Sequence, residues 1–260
     1  MTHKDKKTIC ITGATSGFGA ACARRYADSS NRLILAGRRT ERLEELQNEL
    51  SPSVPIHIIS LDVSDRDAVF AAIADLPEEF RAIDILINNA GLALGLEPAQ
   101  SVDITDWETM VDTNIKGLMY CTRAILPSMV ERKTGHIVNV GSIAGNWPYP
   151  GGNVYGGTKA FVKQFSNNLR ADLSGTNVRI TIIEPGMAET EFSKVRFKGD
   201  EKRAADIYQD CKPLTAEDIA EIIHWVTSQP AHVNINRLEV MPTCQSWGPL
   251  AISRNASHLN

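Results

Sequence analysis

Seven short apolar runs alternate with amphipathic stretches along nearly the whole chain of 260 residues, and this alternation restricts the possible folds most strongly. The runs have the length and composition of buried strands, whereas the stretches between them repeat apolar residues with the period of a helix. Such an order predicts one parallel sheet whose crossover helices cover both faces. We therefore expect a doubly wound α/β fold with a mostly parallel, seven-stranded sheet in a single domain, residues 1–260.

The predicted strands lie at 8–12, 32–36, 56–61, 83–88, 136–140, 179–183 and about 237–240, and the predicted helices at 20–27, 41–49, 65–75, 106–131, 154–173 and 216–227. Residues 187–212 carry many charges without clean periodicity, and residues 241–260 form a C-terminal tail. Ligands of open α/β sheets bind outside the carboxyl ends of the strands. Residues just after each strand are therefore the main candidates for a functional site.

Composition excludes several classes of function. A hydrophobic content of 43% suits a globular protein, and a net charge of −4 argues against a nucleic-acid or membrane-surface partner. No run of 18 apolar residues and no apolar leader occurs, so we expect a cytoplasmic protein. The five cysteines are dispersed and odd in number, and the six histidines are not clustered. Neither a disulfide framework nor a metal site is expected.

A glycine-rich turn follows the first predicted strand, with Gly13, Gly17 and Gly19 around Ser16 and Phe18. An apolar helix pattern begins directly after it. A strand, a glycine-rich turn and a helix in this order let backbone N–H groups approach a pyrophosphate closely. The alternative is an ordinary turn between a strand and a helix, but three glycines there are costly unless close approach is needed.

Tyr155 and Lys159 lie four residues apart in a predicted helix, so their side chains share one face. A nearby ammonium favours the phenolate and lowers the pKa of a tyrosine, which suits proton exchange with a substrate near neutral pH. The pair also arises by chance in many chains. Its significance depends on the other motifs present.

Several such motifs are present: Asn88-Asn-Ala-Gly91 after the fourth strand, Asn114, and Ser142 thirteen residues before Tyr155. Together with the glycine-rich turn, they resemble the short-chain dehydrogenase/reductase family over essentially the whole chain. Segments 91–98, 106–114, 192–200 and 230–236 more narrowly resemble the NADP-dependent 3-hydroxy acid (serine, allo-threonine) dehydrogenases and their relatives that act on small acidic aldehydes. The resemblance implies an oxidoreductase built on a Rossmann domain.

The resemblance also implies catalytic roles. Tyr155 would give a proton to the carbonyl oxygen during reduction and take it back in the reverse reaction. Lys159 would lower the pKa of Tyr155 and bond the nicotinamide ribose, while Ser142 would hydrogen-bond the reacting oxygen. Asn114 would hold a water that links Lys159 to solvent. The alternative for Asn114 is a buried structural amide.

The cofactor is expected to be NADP(H). Arg38 and Arg39 end the second strand, where an acidic residue would otherwise accept from the ribose 2′-hydroxyl and repel a 2′-phosphate. Guanidinium groups suit phosphate, although both arginines could instead be a solvated cap on the next helix. Ser16 stands where many NADP-binding members of the family carry a basic residue, so strictness for NADP stays open.

The resemblance assigns further residues to this cofactor. They are Asp62 and Val63 at the adenine, Asn88, Ala90 and Gly91 at the ribose, and Pro185, Gly186 and Thr190 at the carboxamide. A plain role at a helix N-terminus is the alternative for Asp62.

The substrate is expected to be a small anion. Arg196 and Lys198 follow the nicotinamide-binding turn and would close a positive lid over it, although a solvated loop surface is the alternative. Tyr149 and Gln245 would add contacts, and the tail could reach a neighbouring subunit in a homotetramer. An arginine suits a carboxylate and a sulfonate equally, which leaves serine, 3-hydroxypropionate and isethionate as candidate alcohols, and the physiological direction also stays open.

Two other functions compete with this prediction. One is a broad carbonyl reductase of neutral substrates, and the other is a redox sensor that binds NADP(H) without turnover. Because Tyr155, Lys159 and Ser142 are all present, the sequence favours an enzyme.

Overall fold

Seven strands form one parallel sheet in the computed structural model, which describes residues 6–247. The strands are β1 (Lys7–Thr12), β2 (Asn31–Gly37), β3 (Ile56–Ser60), β4 (Ile83–Asn88), β5 (Gly135–Val140), β6 (Val178–Pro185) and β7 (Arg237–Val240). Their order is β3-β2-β1-β4-β5-β6-β7, and every neighbouring pair is parallel. The predicted doubly wound, seven-stranded α/β fold is confirmed.

Helices connect these strands. They are α1 (Gly17–Arg25), α2 (Thr40–Leu50), α3 (Arg66–Ala74), α4 (Ile104–Val111), α5 (Leu118–Glu131), α6 (Asn153–Asp172), α7 (Glu191–Arg196), α8 (Glu201–Asp206) and α9 (Ala216–Ser228). Short 3₁₀ turns lie at Glu78–Phe80 and Ile143–Gly145. Within residues 6–247, none of the helices has the length and apolar character needed to cross a membrane. The predicted tail continues into residues 248–260, which lie outside the described part of the chain.

The core consists of two apolar layers, one on each face of the sheet. Ile9 and Ile11 of β1 point to one face and pack with the buried sides of α1, α2 and α9. Cys10, which lies between them, points to the other face and packs with Ile125 and Met129 of α5. This alternation follows from the period of two in a strand. Helices thus cover both faces, while the carboxyl ends of the strands stay free to form a site.

The predicted helix at 106–131 is a longer rod that changes its geometry in the middle. It begins at Ile104 and ends at Glu131, and the segment Asp112–Gly117 between α4 and α5 has the wider turn of a π-helix. Gly117 lies in this segment against Val63, where an added Cβ would come within 2.6 Å of a Val63 methyl group. Period analysis at 3.6 residues per turn does not reveal such a local widening, which is frequent at functional sites.

The charged segment at 187–212 contains the short helices α7 and α8. Thr190 begins α7 by accepting a hydrogen bond from the Phe192 amide, and Asp200 begins α8 in the same way with Arg203. Each helix has only six residues. Six residues are too few to produce a recognisable apolar period, so the sequence predicted no helix here.

A buried group of polar side chains ties β4 to β5 and to α5. The Asn88 amide donates to Asn139 Oδ1 at 2.9 Å and to Thr122 Oγ1 at 3.0 Å, and Asn139 in turn donates to Ser166 Oγ. All four side chains are buried. Buried polar atoms are costly to leave unpaired, so this group makes the pairing of β4 with β5 specific.

We predict that Asn88→Ala destabilises the protein by about 1–3 kcal/mol, because Asn139 and Thr122 each lose a buried partner. The free energy of unfolding from equilibrium urea titration measures this effect. Asn48→Ala is the matched control, since Asn48 is an exposed asparagine on α2 and such a change stays within about ±0.5 kcal/mol. Equal stability of the Asn88 variant and the wild type would contradict a structural role for this amide.

Candidate active site

A cavity of about 670 Å³ lies at the carboxyl edge of the sheet. Residues that follow the strands form its floor. Its wall is formed by α7 and by the C-terminal residues between Met241 and Trp247. The strand order reverses direction between β1 and β4, which is the position where open α/β sheets bind nucleotides. The turn after β1 therefore lies at the position where a nucleotide would bind.

The glycine-rich turn provides a backbone cradle. Gly13 has a φ of +66°, and a Cβ there would lie 2.9 Å from Ala90 Cα. Gly17 has a φ of +51°, and a Cβ there would lie 3.4 Å from Thr190 Cβ. Gly13, Ser16, Gly17, Phe18 and Thr190 all line the cavity. The open N-terminus of α1 and the lack of side chains at Gly13 and Gly17 fit a diphosphate.

Gly19 and Asn88, both predicted to bind the cofactor, do not line this cavity. A Cβ on Gly19 would lie 2.2 Å from the Gly13 carbonyl oxygen, so its lack of a side chain lets α1 pack onto the turn. Asn88 faces the buried side of β4. The next residue, Asn89, faces the cavity and donates to the carbonyl oxygens of Thr12 and Gly13. The alternation of side chains along β4 explains why Asn89 lies where Asn88 was predicted.

Arg38 and Arg39 lie at one end of the cavity together with Asp62 and Val63. We call this the arginine end. Arg38 Nη1 lies 3.8 Å from Asp62 Oδ2. Burial raises the pKa of Asp62, but hydrogen bonds from Ser64 and the Arg38 charge outweigh burial and lower it. The structure therefore brings these four residues to one end of the cavity, where their predicted roles at the adenine and the 2′-phosphate stay predictions.

Arg39 is held by the glycine-rich turn and by a carboxylate that the sequence analysis did not single out. Its Nη2 donates to Thr15 Oγ1 at 2.8 Å and to Ser16 Oγ at 2.6 Å, and its Nη1 donates to Glu191 Oε2 at 3.0 Å. Arg42, on the first turn of α2, also donates to Glu191. Only the fold brings Glu191 to this position, because about 150 residues separate it from the arginines.

The loops after β4 and β6 form the middle of the cavity through Ala90, Gly91, Pro185 and Gly186. A Cβ on Gly91 would lie 3.4 Å from Lys159 Nζ. A Cβ on Gly186 would lie 2.3 Å from the side-chain oxygen of Gln245. These glycines leave space above the floor of the cavity.

Helix α6 carries Tyr155 and Lys159 into the cavity one turn apart. Both residues are at least nine-tenths buried. Lys159 Nζ donates to the carbonyl oxygen of Val140, the last residue of β5, at 2.9 Å. Ser142 follows β5 and accepts from the Ala144 amide at 3.1 Å. Three of the four predicted catalytic side chains thus meet where α6 crosses the end of β5.

The pKa of Tyr155 is raised in this structure, and Lys159 is not among the groups that shift it, so the predicted lowering by Lys159 stays a prediction. Burial raises this pKa to about 12, although the hydrogen bond with Ser142 and the charge of Arg196 act against burial. Burial also lowers the pKa of Lys159 to about 8. The Lys159 ammonium lies 5.8 Å from the ring centre of Tyr155, whereas the Arg196 guanidinium lies 5.0 Å away. Arg196 is therefore the cation nearer to the phenol ring in this structure.

Asn114 is buried and does not line the cavity. Its amide donates to the Leu92 carbonyl at 2.8 Å and to Thr158 Oγ1 at 3.1 Å, and its oxygen accepts from the Leu92 amide at 2.9 Å. No side-chain donor remains for the predicted water. These bonds tie the loop after β4 to α6, which supports the alternative of a buried structural amide, and the water-holding role of Asn114 stays a prediction.

Arg196, Tyr149 and Gln245 line the cavity near Tyr155. Arg196 Nη2 donates to Tyr149 Oη at 2.8 Å, and Arg196 Nε is buried without a partner among residues 6–247. Lys198 does not line the cavity, because its ammonium forms an ion pair with Asp106 at 2.9 Å. The predicted positive lid therefore rests on Arg196 alone of these two cations.

Within residues 6–247, no group of histidine, cysteine or acidic side chains has the arrangement of a metal site. The cavity instead offers a backbone cradle, an arginine end and a buried tyrosine. This arrangement suits a phosphorylated dinucleotide with its reactive end near Tyr155.

Comparisons with known proteins agree with this geometry. Residues 7–201 match the family model of short chain dehydrogenases. The chain is 58% identical over 248 residues to sulfoacetaldehyde reductase 2 of Chromohalobacter salexigens, covering 95% of this chain and 98% of that protein. It is 57% identical over 247 residues to the NADP-dependent 3-hydroxy acid dehydrogenase YdfG of Escherichia coli strain K12, covering 95% and 99%.

A solved structure is also similar. The closed form of a serine dehydrogenase complexed with NADP+ superposes with a TM-score of 0.92 at 56% sequence identity, covering 95% of this chain and 99% of that one. Sequence motifs, fold and site geometry therefore agree, and the chain belongs to the short-chain dehydrogenase family.

Proposed function

We propose that this protein is an NADP(H)-dependent oxidoreductase that interconverts a small aldehyde or ketone bearing an acidic group and its hydroxy acid. The observation that carries the proposal is the Arg196 guanidinium beside the ring of Tyr155, in the same cavity as the arginine end. One cation near the proton donor suits an anionic substrate, and the arginines at the other end suit a 2′-phosphate.

The bound nicotinamide supplies or accepts the hydride. Tyr155 carries the proton, and a pKa of about 12 keeps the phenol protonated near neutral pH. It is therefore ready to donate to a carbonyl oxygen that gains negative charge. Ser142 hydrogen-bonds the same phenol and stabilises that charge. Lys159 stays at the floor of the cavity on the Val140 carbonyl, where its ammonium favours the phenolate that remains after proton transfer.

Arg196 selects the substrate. Its Nη2 donates to Tyr149, while its buried Nε has no partner among the described residues and is free to donate to an anionic oxygen. A guanidinium fork suits a carboxylate and a sulfonate alike. Of the two relatives named above, one is named for a sulfonate substrate, sulfoacetaldehyde, and the other for 3-hydroxy acids, which are carboxylates. Malonic semialdehyde and sulfoacetaldehyde are both candidate substrates, whereas a neutral ketone leaves the buried Nε of Arg196 unpaired.

We also propose a homotetramer in the cytoplasm. All five cysteines are free thiols, which suits a reducing compartment. Large apolar side chains are exposed on the outer helices, among them Ile104, Met119 and Trp225. Contiguous patches of such groups are typical of faces that other subunits cover, so these helices are the proposed subunit contacts. Light scattering on the purified protein measures the subunit number.

We expect Tyr155→Phe to reduce the turnover number about 10²–10⁴-fold, because the variant lacks only the hydroxyl that transfers the proton. NADPH affinity, measured by fluorescence titration, should stay near that of the wild type and serves as the control. If the variant kept more than roughly a tenth of normal turnover, another group would have to be the acid.

A pair of aldehydes tests the proposed substrate class. Malonic semialdehyde or sulfoacetaldehyde should oxidise NADPH far faster than propanal does. For the acidic aldehyde, Arg196→Ala should lower kcat/KM by an amount that corresponds to about 2–3 kcal/mol of lost transition-state stabilisation. Propanal should change by less than about fivefold, because it makes no charge-assisted contact with Arg196.

Lys198→Ala is the matched control for this experiment, since it removes a cation from the same segment at a position outside the cavity. We expect it to leave both aldehydes unchanged. Equal losses for the acidic and the neutral aldehyde in Arg196→Ala would show that Arg196 shapes the lid without recognising the acid. A wild-type enzyme that preferred propanal would refute the proposed substrate class.

A further inference from the structure

The arginine end of the cavity contains an anion of its own. Glu191 Oε2 accepts from Arg39 at 3.0 Å, and both oxygens of Glu191 accept from Arg42 at 2.8 Å. Burial alone would raise the pKa of Glu191, but the hydrogen bonds from Arg42 and Arg39 outweigh burial and lower it. Glu191 is therefore ionised near neutral pH, and its negative charge partly neutralises the positive charges of both arginines.

Glu191 lies beside the glycine-rich turn. It is the first residue of α7, and Thr190 immediately before it lies against Gly17 of that turn. Arg39 connects the two elements, since it donates to Ser16 on one side and to Glu191 on the other. A phosphate that reached Ser16 and Arg39 would therefore also lie close to the Glu191 carboxylate.

The 2′-phosphate of NADP(H) needs the same guanidinium groups. Near neutral pH a phosphate monoester carries a charge between −1.5 and −2, so it repels a neighbouring carboxylate. Bidentate binding requires two free N–H donors on one edge of the fork. In this structure Thr15, Ser16 and Glu191 use the donors of Arg39. NAD(H) has a hydroxyl at the same position and requires no such exchange.

We propose that Glu191 is a specificity-determining residue that competes with the 2′-phosphate for Arg39 and thereby limits the preference for NADP(H) over NAD(H). This inference rests on the proposed function.

Glu191→Gln tests the competition, because glutamine keeps the shape and the acceptor oxygen while it removes the charge. We expect this variant to bind NADPH and 2′,5′-ADP about 3–10-fold more tightly than the wild type, the scale of losing two partly exposed ion pairs. Binding of NADH and of 5′-AMP should stay unchanged within about twofold, because neither carries the 2′-phosphate. Isothermal titration calorimetry at one fixed ionic strength measures all four ligands without turnover.

Glu201→Gln is the matched control. Glu201 pairs with Lys194 at 2.9 Å on the surface and does not contact the arginines. We expect the same four dissociation constants as in the wild type. A general effect of removing one negative charge would appear equally in both variants, whereas local competition appears only in Glu191→Gln.

Two results would overturn the inference. Weaker binding of 2′,5′-ADP by Glu191→Gln would mean that Glu191 positions the arginines for the phosphate, and unchanged binding would mean that it does not act on the site. A different result would refute the proposed NADP(H) dependence itself, namely that the wild type binds 2′,5′-ADP no more tightly than 5′-AMP.

Discussion

The hydrogen bond from Lys159 to the carbonyl oxygen of Val140 is the contact on which the active site depends. It anchors α6 to the carboxyl end of β5 and keeps a long cationic side chain buried. Tyr155, one helical turn earlier, is thereby held in the same buried wall. Burial then decides the protonation of both groups, since it raises the pKa of the phenol to about 12 and lowers the pKa of the ammonium to about 8. The protein alone therefore presents a proton donor.

The short helix α7 connects the two ends of the cavity. Its first residue, Glu191, holds Arg39 and Arg42, and its last residue, Arg196, lies over Tyr155. Six residues of helix extend about 9 Å. The Arg196 carbonyl also accepts from the Gly95 amide at 2.8 Å, which ties α7 to the loop after β4. One element thus carries both the carboxylate at the arginine end and the cation beside Tyr155.

The sequence predicted most of this architecture because strands and helices here have clear periods. The glycine-rich turn, Arg39, Ser142, Tyr155 and Lys159 also belong to local motifs with fixed spacing, and the structure brings them to one cavity. Roles that depend on side-chain direction were less predictable. Asn88 faces the sheet interior while its neighbour Asn89 faces the cavity. The sequence motif contains both asparagines and does not show in which direction each side chain points.

Contacts between distant segments could not be predicted. The approach of Glu191 to Arg39, the ion pair that takes Lys198 away from the cavity, and the bonds between Asn114 and Leu92 all require the folded chain. The pKa of Tyr155 could not be predicted from the sequence for the same reason. Spacing indicated that Lys159 would lower it, but the balance between burial and charge depends on how deeply α6 packs.

The ionisation of Tyr155 tests the central claim most directly. Tyrosinate absorbance at 295 nm, titrated in the wild type and in Tyr155→Phe without cofactor, isolates this phenol by difference. The account predicts no difference between the two curves below about pH 10, because burial keeps Tyr155 protonated there. One additional tyrosinate in the wild type between about pH 6 and pH 9 would contradict it, since cations and not burial would then control the proton donor.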